Sequence, residues 1–378
     1  MSMRLLAPMS FLLALCVGCS NSSLYTENSE IEQEKADWNW IPFDSEFLRI
    51  SGRYNAENAD FIAFSWSGAS VTIAFEGTSL ETKVWTDGVL YLDVFVDGSE
   101  NPISEIAIDH PGKDPLSVSV VSGLSRRNHV VTLYKRSEAN LGDWYFYGLR
   151  VEGTAKIELL PQVPEHKIEF VGNSITCGGD VLAPVPGREF NPRYESSYYG
   201  YAGQSAWLLD AEAHIVCSAG HGIAINVDGS RDLLLPVVYN WTGTHSATVV
   251  GWNHETWHPD AVVINLGTND FGSGQNDSAE FVDATVGFVR QVRLYHPEAK
   301  IVLLDGPMLT GDYMVKCRQY LDVAKATLET LGERDVHRYS FEPKGESPNG
   351  VYFHPNKAEA LGDARSLSTW MRSEFGWN

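Results

Sequence analysis

Hydrophobic and polar positions alternate along the first part of the chain. Residues 70–76 and 90–96 alternate apolar with small or polar residues. The first run is predicted to end in a turn at Gly77-Thr78 and the second at Asp97-Gly98, a strong hairpin signal. Further strand-like runs lie at residues 116–121, 129–134 and 144–152. Short strands separated by turn residues are typical of antiparallel sandwiches. The pattern therefore predicts a β-sandwich, or jelly roll, over residues 38–155.

A different periodicity begins after a segment that contains two prolines, Pro161 and Pro164. We place a linker at residues 156–166 and, beyond it, apolar strand runs alternate with segments of helical spacing. Strands are expected at 168–171, 213–217, 261–266 and 300–304, and helices at 197–211, 279–295, 313–331 and 357–375. This alternation predicts a parallel sheet wrapped by helices, an α/β/α domain over residues 167–378.

The first 19 residues have the pattern of a targeting segment. Arg4 supplies a positive charge, residues 5–17 are apolar, and the run is too short to span a bilayer. Gly18-Cys19 resembles the cleavage site of bacterial lipoproteins, which would make Cys19 the lipidated N-terminus, although Cys16 stands where that pattern usually has Leu. Simple secretion is the alternative. The polar residues 20–37 have the composition of a flexible tether. We expect an exported protein that meets a membrane only through this anchor.

The charge of the chain restricts its partners. The 378 residues carry a formal net charge of -21 at pH 7. A nucleic acid or an anionic membrane surface would require a basic footprint, so both are disfavoured as partners. A neutral or weakly charged partner fits better.

Four small or polar residues stand where the fold would place chemistry. Ser174 follows the first strand of the α/β domain, and Gly220 and Asn269 follow the next two. The carboxyl ends of parallel strands share one edge of the sheet, where α/β folds carry their sites. His354 precedes the last predicted helix. Each residue alone also has a structural explanation, because glycine and asparagine are common in turns and a histidine before Pro355 can cap a helix.

Serine, glycine, asparagine and histidine in this order resemble the four sequence blocks of the SGNH (GDSL-like) hydrolases. The resemblance implies that Ser174 is the nucleophile and His354 the general base. The amides of Ser174 and Gly220, with the side chain of Asn269, would form the oxyanion hole. An acyl-enzyme cycle of this kind uses neither metal nor cofactor.

One departure from that family concerns the residue that orients the histidine. An aspartate usually stands three positions before it, where this chain has Val351, and the nearest upstream acid is Glu346. Either a backbone carbonyl orients His354, which gives a Ser-His dyad, or a more distant acid such as Glu346 does. A dyad can work because the third member orients and does not react.

The order of the two domains, together with three sequence stretches, points to one family among the SGNH hydrolases. The sandwich ends in His-x-Val-x-Leu-Tyr-Lys-Arg-x-Glu at residues 129–138, the nucleophile lies in Gly-Asn-Ser-Ile-Thr-Cys-Gly at 172–178, and Trp252 opens a third stretch that ends at Phe271. This layout resembles carbohydrate esterase family 2. The resemblance implies a carbohydrate O-acetyl esterase acting on acetylated xylan, glucomannan or related polysaccharides and oligosaccharides.

Two other functions remain open: an SGNH esterase for another acylated glycan or a lipid, and a carbohydrate-binding lipoprotein with weak catalysis. Aromatic side chains near the blocks could stack on sugar rings. The main candidates are Phe353, Tyr352 and Trp257, followed by Trp252 and Tyr313.

Cysteine and histidine spacing add two smaller predictions. Beyond Cys19 the mature chain has Cys177, Cys217 and Cys317, which we interpret as buried free thiols, although a Cys177–Cys217 bridge is conceivable. His254-Glu-Thr-Trp-His258 spells a zinc motif that requires a helix. Pro259 and the strand that follows leave no room for one, so we expect no metal site.

Overall fold

A computed structural model describes residues 38–109, 112–184, 189–244, 249–272, 278–344 and 354–377. The predictions for residues 1–37, including lipidation of Cys19, lie outside the described residues, as do Glu346, Tyr352 and Phe353. In the described ranges, no helix combines the length and the apolar character that crossing a membrane would require.

The first domain is antiparallel β-structure, as the alternation of apolar and polar residues predicts. Its strands are β1 Trp38–Pro42, β2 Leu48–Ser51, β3 Ile62–Phe64, β4 Ser70–Trp85, β5 Leu90–Val96, β6 Ser104–Ile108, β7 Leu116–Val121, β8 Arg127–Lys135 and β9 Trp144–Ala155. The longest hydrogen-bonded path runs β1-β9-β4-β8-β5-β6, while β2 and β7 pair with β4 and β3 pairs with β9.

Strand β4 does not end at Gly77, where the sequence pattern predicts a turn. The register with β9 shifts between Gly77 and Ser79, which marks a bulge. A Cβ on Gly77 would lie 1.9 Å from the carbonyl oxygen of Glu152, so only glycine fits here. Residues 70–73 of β4 lie between β2 and β8, residues 75–77 lie between β8 and β9, and residues 80–84, after the bulge, lie between β7 and β9. The bulge thus lets one strand serve both layers of the sandwich.

The second domain contains a five-stranded parallel sheet in the order β11-β10-β12-β13-β14. The strands are β10 His166–Gly172, β11 Ala211–Cys217, β12 Ala261–Asn265, β13 Lys300–Asp305 and β14 Val336–Ser340. The helices are α1 Ser174–Cys177, α2 Tyr201–Leu208, α3 Leu235–Val238, α4 Thr268–Gly272, α5 Ser278–Tyr295, α6 Gly311–Thr330 and α7 Lys357–Phe375. Short 3₁₀ turns lie at Ile157–Leu159, Pro192–Tyr194 and His254–Thr256.

Helices cover both faces of the parallel sheet because successive strand residues point to opposite sides. On one face Val262 and Ile264 join an apolar cluster with residues of α5 and α6, such as Phe288 and Leu321. On the other face Val263 packs in a cluster that includes residues of α2 and α7. This confirms the predicted three-layer α/β/α architecture behind an N-terminal sandwich.

A buried ion pair joins the two domains. Arg53, between β2 and β3, places Nη2 2.7 Å from Oε1 of Glu169 in β10, and both side chains are buried. The hydroxyl of Tyr239 donates to the other carboxylate oxygen at 2.5 Å. Glu169 is the single acid that interrupts the apolar run of β10, and this contact explains its place there. A buried carboxylate is tolerated when charged and hydrogen-bonding partners surround it.

Candidate active site

The nucleophile candidate Ser174 lies in a tight turn at the carboxyl end of β10. Asn173 caps α1, because its side-chain oxygen accepts a hydrogen bond from the amide of Ile175 at 3.2 Å. Gly178 ends the helix in the left-handed conformation at φ 73°, and a Cβ there would lie 2.0 Å from the carbonyl oxygen of Ser196. Ser174 is partly exposed while its neighbours on both sides are buried.

The structure brings His354 to this serine across 180 residues of sequence. Nε2 of His354 lies 2.7 Å from Oγ of Ser174. A capping box fixes the histidine's position: Asn356 accepts from the amides of Ala358 and Glu359, and the Glu359 side chain accepts from the Asn356 amide. The predicted base therefore stands two residues before Asn356, the N-cap of α7.

Asp180 completes the arrangement: of the two alternatives that the sequence leaves open, a distant acid rather than a backbone carbonyl contacts His354 in the described residues, and that acid is Asp180. Oδ2 of Asp180 lies 3.2 Å from Nδ1 of His354, and the aspartate is buried. A carboxylate there accepts a hydrogen bond from Nδ1–H, which keeps the proton on Nδ1 and leaves Nε2 free to accept from the serine hydroxyl. Asp180 follows the nucleophile by six residues and adopts a left-handed φ of 54°. The described residues thus contain a Ser-His-Asp arrangement rather than a dyad.

The predicted oxyanion donors lie on neighbouring segments: Ser174 begins α1, Gly220 follows β11, and Asn269 lies in α4. The Ser218 amide donates to the carbonyl of Gly172 at 3.1 Å, which brings the turn after β11 beside the nucleophile turn. Asn269 Nδ2 donates to the carbonyl of His221 at 2.8 Å and keeps a second N–H for another acceptor. Across the described ranges, the amides of Ser174 and Gly220 donate to no protein acceptor. Three donors on neighbouring segments suit a tetrahedral oxyanion.

Asp270, beside Asn269, holds the loop that follows Gly220. Its Oδ1 accepts from the amides of Ile223, Ala224 and Ile225 at 3.1, 2.7 and 3.0 Å. Burial raises the pKa of Asp270, while these three amide hydrogen bonds act in the opposite direction. The second acid of the Gly-Thr-Asn-Asp stretch is thus a structural support for the oxyanion turn, a role that sequence reasoning did not identify.

A disulfide joins helix α1, which begins at Ser174, to the end of strand β11, directly before the Ser218–Ala219–Gly220 turn. Cys177 and Cys217 are bonded, with their Cα atoms 5.5 Å apart, which corrects the expectation of free thiols. The two cysteines meet because Gly172 and Cys217 are register partners in adjacent strands, and α1 folds back over that position. Cys317 is a free, buried thiol.

Trp257 lies away from this site, contrary to its predicted role as a sugar contact. The indole is buried and stacks on His214, with ring centroids 3.6 Å apart and planes at 9°. It precedes β12 and contacts Lys167 at the start of β10, whereas Ser174 follows the end of that strand. Trp252 packs against the same histidine. Tyr313 is exposed in the first turn of α6.

The residues that match the zinc motif begin with a short 3₁₀ turn, His254–Thr256, and do not form the helix that such a motif requires. His254 is buried and stacks on Tyr295 at 3.9 Å, whereas the His258 side chain is 54% exposed. Burial lowers the pKa of His254 to about 3, so this ring is neutral at physiological pH. The described ranges contain no cluster of His, Cys, Asp and Glu arranged to hold a metal ion.

Two protein families match this chain. Residues 50–161 match the carbohydrate esterase 2 N-terminal domain, and residues 170–358 match the GDSL-like lipase/acylhydrolase family. Cellulase/esterase CelE of Acetivibrio thermocellus is 31% identical over 335 residues, and the match spans 88% of this chain but only 40% of CelE. An acetylxylan esterase / glucomannan deacetylase of Cellvibrio japonicus is 27% identical over 332 residues, which cover 87% of this chain and 89% of that protein.

Solved structures resemble the chain over both domains. A family two carbohydrate esterase from Clostridium thermocellum, in complex with cellohexaose, superposes with a TM-score of 0.82 at 31% sequence identity. The match covers 88% of this chain and all of that one. The similarity therefore includes the sandwich as well as the domain that carries Ser174.

Proposed function

The chain belongs to carbohydrate esterase family 2, and from that premise we propose that it is a serine esterase that removes O-acetyl groups from xylan, glucomannan or related acetylated saccharides. The observation that carries the proposal is the 2.7 Å hydrogen bond between Ser174 Oγ and His354 Nε2. Relatives named as acetylxylan esterases and glucomannan deacetylases support the choice of acyl group and of polysaccharide.

Acylation begins when His354 Nε2 takes the hydroxyl proton of Ser174 and Oγ attacks the acetyl carbonyl carbon. The carbonyl oxygen becomes an oxyanion that accepts from the amides of Ser174 and Gly220 and from Asn269 Nδ2. Asp180 stabilises the imidazolium that forms, because its carboxylate lies 3.2 Å from Nδ1. The bond to the sugar oxygen then breaks, and the imidazolium gives its proton to that oxygen. The products are a sugar alcohol and acetyl-Ser174.

Deacylation repeats these steps with water as nucleophile. His354 takes a proton from water, the hydroxyl attacks the acetyl-enzyme, and the same donors bind the second oxyanion. Acetate leaves when the ester bond to Ser174 Oγ breaks and the imidazolium returns the proton to Oγ. The chain's own residues supply each proton transfer.

The test compares acetate release by the wild type, Ser174→Ala and His354→Ala on 4-nitrophenyl acetate, acetylated xylan and acetylated glucomannan. We expect activity in the wild type and a fall of about a thousand-fold or more in both variants, because the two side chains act as one unit. The ratio of rates on the two polymers identifies the preferred substrate. An inert wild type that still binds the polymers would favour the carbohydrate-binding alternative, and hydrolysis of long-chain acyl esters in preference to acetyl esters would favour the lipid alternative.

We also propose that the protein is exported and anchored by lipid on Cys19, as the pattern of residues 1–19 suggests. The Cys177–Cys217 disulfide supports export, because such bonds persist in oxidising compartments. Labelling with palmitate in a bacterial host should mark the wild type and spare Cys19→Ser. Equal labelling of the two, or none, would rule out the anchor at this residue.

A further inference from the structure

The segment that follows β8 crosses from the sandwich to the oxyanion turn. Oε2 of Glu138 accepts a hydrogen bond from the amide of Ala219 at 2.8 Å. Two residues further on, Nδ2 of Asn140 donates to Oγ of Ser218 at 2.9 Å. Ser218 and Ala219 immediately precede Gly220. The first domain therefore holds both residues that lead into the predicted oxyanion donor.

The Glu138 contact is buried in a charged pocket. Glu138 is 4% exposed, and the nearby Lys135 ammonium donates to the carbonyls of Ser65 and Ser137 at 2.9 Å each. The Glu195 carboxylate accepts from the backbone amide of Glu138 at 3.4 Å. Burial raises the pKa of Glu138, while the Ala219 amide, Lys135 and His354 act in the opposite direction. Burial of such a carboxylate is costly, and an apolar side chain would fill the same space at lower cost.

The buried Glu138 carboxylate has a function in the turn, because it fixes the residue that precedes Gly220. The amide that Glu138 binds belongs to the residue before Gly220, and Gly220 adopts a left-handed φ of 78°. Fixing the Ala219 amide limits rotation of the adjoining peptide unit, which carries the Gly220 N–H. An oxyanion donor must point at the oxygen to within a few tenths of an ångström to lower the barrier. Orientation of the Gly220 amide therefore depends on the contact from the other domain.

We propose that Glu138 and Asn140 are positioning residues through which the sandwich holds the Ser218–Ala219–Gly220 turn in the geometry that binds the oxyanion. The inference rests on the proposed esterase function and deepens it. The sandwich is then part of the catalytic apparatus, and its segment of residues 135–140 is required for turnover even though it does not touch the reacting ester.

The experiment measures kcat and KM on 4-nitrophenyl acetate, inhibition by a boronic acid, and melting temperature, for the wild type, Glu138→Ala, Glu138→Gln and Asn140→Ala. Boronic acids form a tetrahedral adduct on the serine that occupies the oxyanion hole, as transition-state analogues do. We expect Glu138→Ala to lower kcat by about a hundred-fold, with little change in KM, and to weaken the boronic acid in parallel. Glu138→Gln keeps an acceptor for the Ala219 amide and should recover most of the rate.

Ser51→Ala is the matched control. Ser51 Oγ donates to Oε1 of Glu212 at 3.0 Å, which is another hydrogen bond between the two domains. Glu212 lies near the start of β11, about 20 Å along the strand from Ala219. We expect the Ser51→Ala variant to keep the wild-type kcat and boronic acid affinity.

Several results would overturn the inference. The first is a Glu138→Ala protein that is folded and keeps the wild-type kcat. The second is an equal loss in Ser51→Ala, and the third is an equal loss in Glu138→Gln and Glu138→Ala. If Glu138→Ala does not fold, Asn140→Ala is the deciding variant, because the Asn140 side chain is exposed and its loss should not prevent folding. A several-fold lower kcat in Asn140→Ala supports the inference, and an unchanged kcat overturns it. An inert wild type would instead overturn the proposed function, on which the inference depends.

Discussion

Oδ2 of Asp180 lies 3.2 Å from Nδ1 of His354, although the aspartate follows the nucleophile in sequence and the histidine lies near the other end of the domain. The turn that exposes Ser174 therefore also carries the acid that orients its base. Gly178, in the left-handed conformation, lets the chain reverse between the two side chains within six residues. One short loop thus supplies two of the three members of the arrangement.

Asp180→Asn should lower kcat by about a thousand- to ten-thousand-fold. The asparagine amide can donate to Nδ1, which favours the tautomer whose Nε2 carries the proton and can no longer accept from Ser174. The fold should persist, because the substitution is nearly isosteric. Steady-state kinetics on 4-nitrophenyl acetate, with circular dichroism as the folding check, measure both effects.

Glu346→Gln is the control for that experiment, since Glu346 is the acid that sequence spacing offers as an alternative. We expect wild-type kinetics from it. If Glu346→Gln loses activity while Asp180→Asn keeps it, the assignment of the orienting acid must be reversed.

Replacing both Cys177 and Cys217 by alanine should lower the free energy of unfolding by about 2–4 kcal/mol. The bond closes a loop with a sequence separation of 40, and removing it restores conformational entropy to the unfolded chain. Chemical denaturation measures the difference. A reducing agent should destabilise the wild type and leave the double variant unchanged, and Cys317, present in both proteins, serves as the internal control. Equal stability of the two oxidised proteins would contradict the prediction.

Strong local signals made much of the fold predictable from sequence. The bounds of β5, β7 and α7 coincide with their predicted ranges, because each has clear periodicity and a clear end signal such as Asp97-Gly98. Weak or short segments were not found: β1, β2, β3, β6 and β14 have 3–5 residues each. Gly77 looked like a turn because sequence alone does not distinguish a bulge from a chain reversal.

In the candidate site, too, residues with a local sequence signal could be predicted and residues that depend on tertiary packing could not. Ser174, Gly220, Asn269 and His354 could be named because each stands at a strand end or a helix start. The partner of His354 could not be named, since Asp180 reaches it through tertiary packing of a loop with no periodicity. Glu138 is hidden for the same reason: its acceptor role depends on two domains meeting, and the local pattern shows only one acid after a strand.

Trp257→Phe should lower the melting temperature without changing KM or kcat on acetylated glucomannan. The indole is buried and stacks on His214, which pairs with Glu169 in the middle of the sheet and not at the strand ends beside Ser174. A smaller ring should therefore cost about 1–2 kcal/mol of stability and nothing in binding. Phe353→Ala provides the contrast, because Phe353 adjoins the base in sequence and remains the main candidate for a sugar contact. A raised KM in Trp257→Phe, at a temperature where the variant is folded, would place the indole in the substrate site.

The stability of the sandwich should depend on pH through Asp93. Burial raises the pKa of Asp93 to about 6, in spite of Arg136, whose Nη1 lies 3.0 Å from its Oδ1. A carboxyl with a raised pKa binds its proton more tightly in the folded state than in the unfolded chain. Its stabilising contribution is therefore complete below about pH 4, the usual value for an aspartate, and is lost as the pH rises through about 6.

Asp93→Asn should remove this dependence, because the amide does not titrate. Relative to the variant, the wild type should lose up to about 3 kcal/mol of unfolding free energy between pH 4 and pH 7, at 1.36 kcal/mol for each unit by which the pKa is raised. Urea titrations of both proteins across that range measure the difference, and other titrating groups cancel because the two proteins share them. Parallel pH profiles would show that Asp93 titrates alike in the folded and unfolded chains, and its buried pairing with Arg136 would then balance its desolvation.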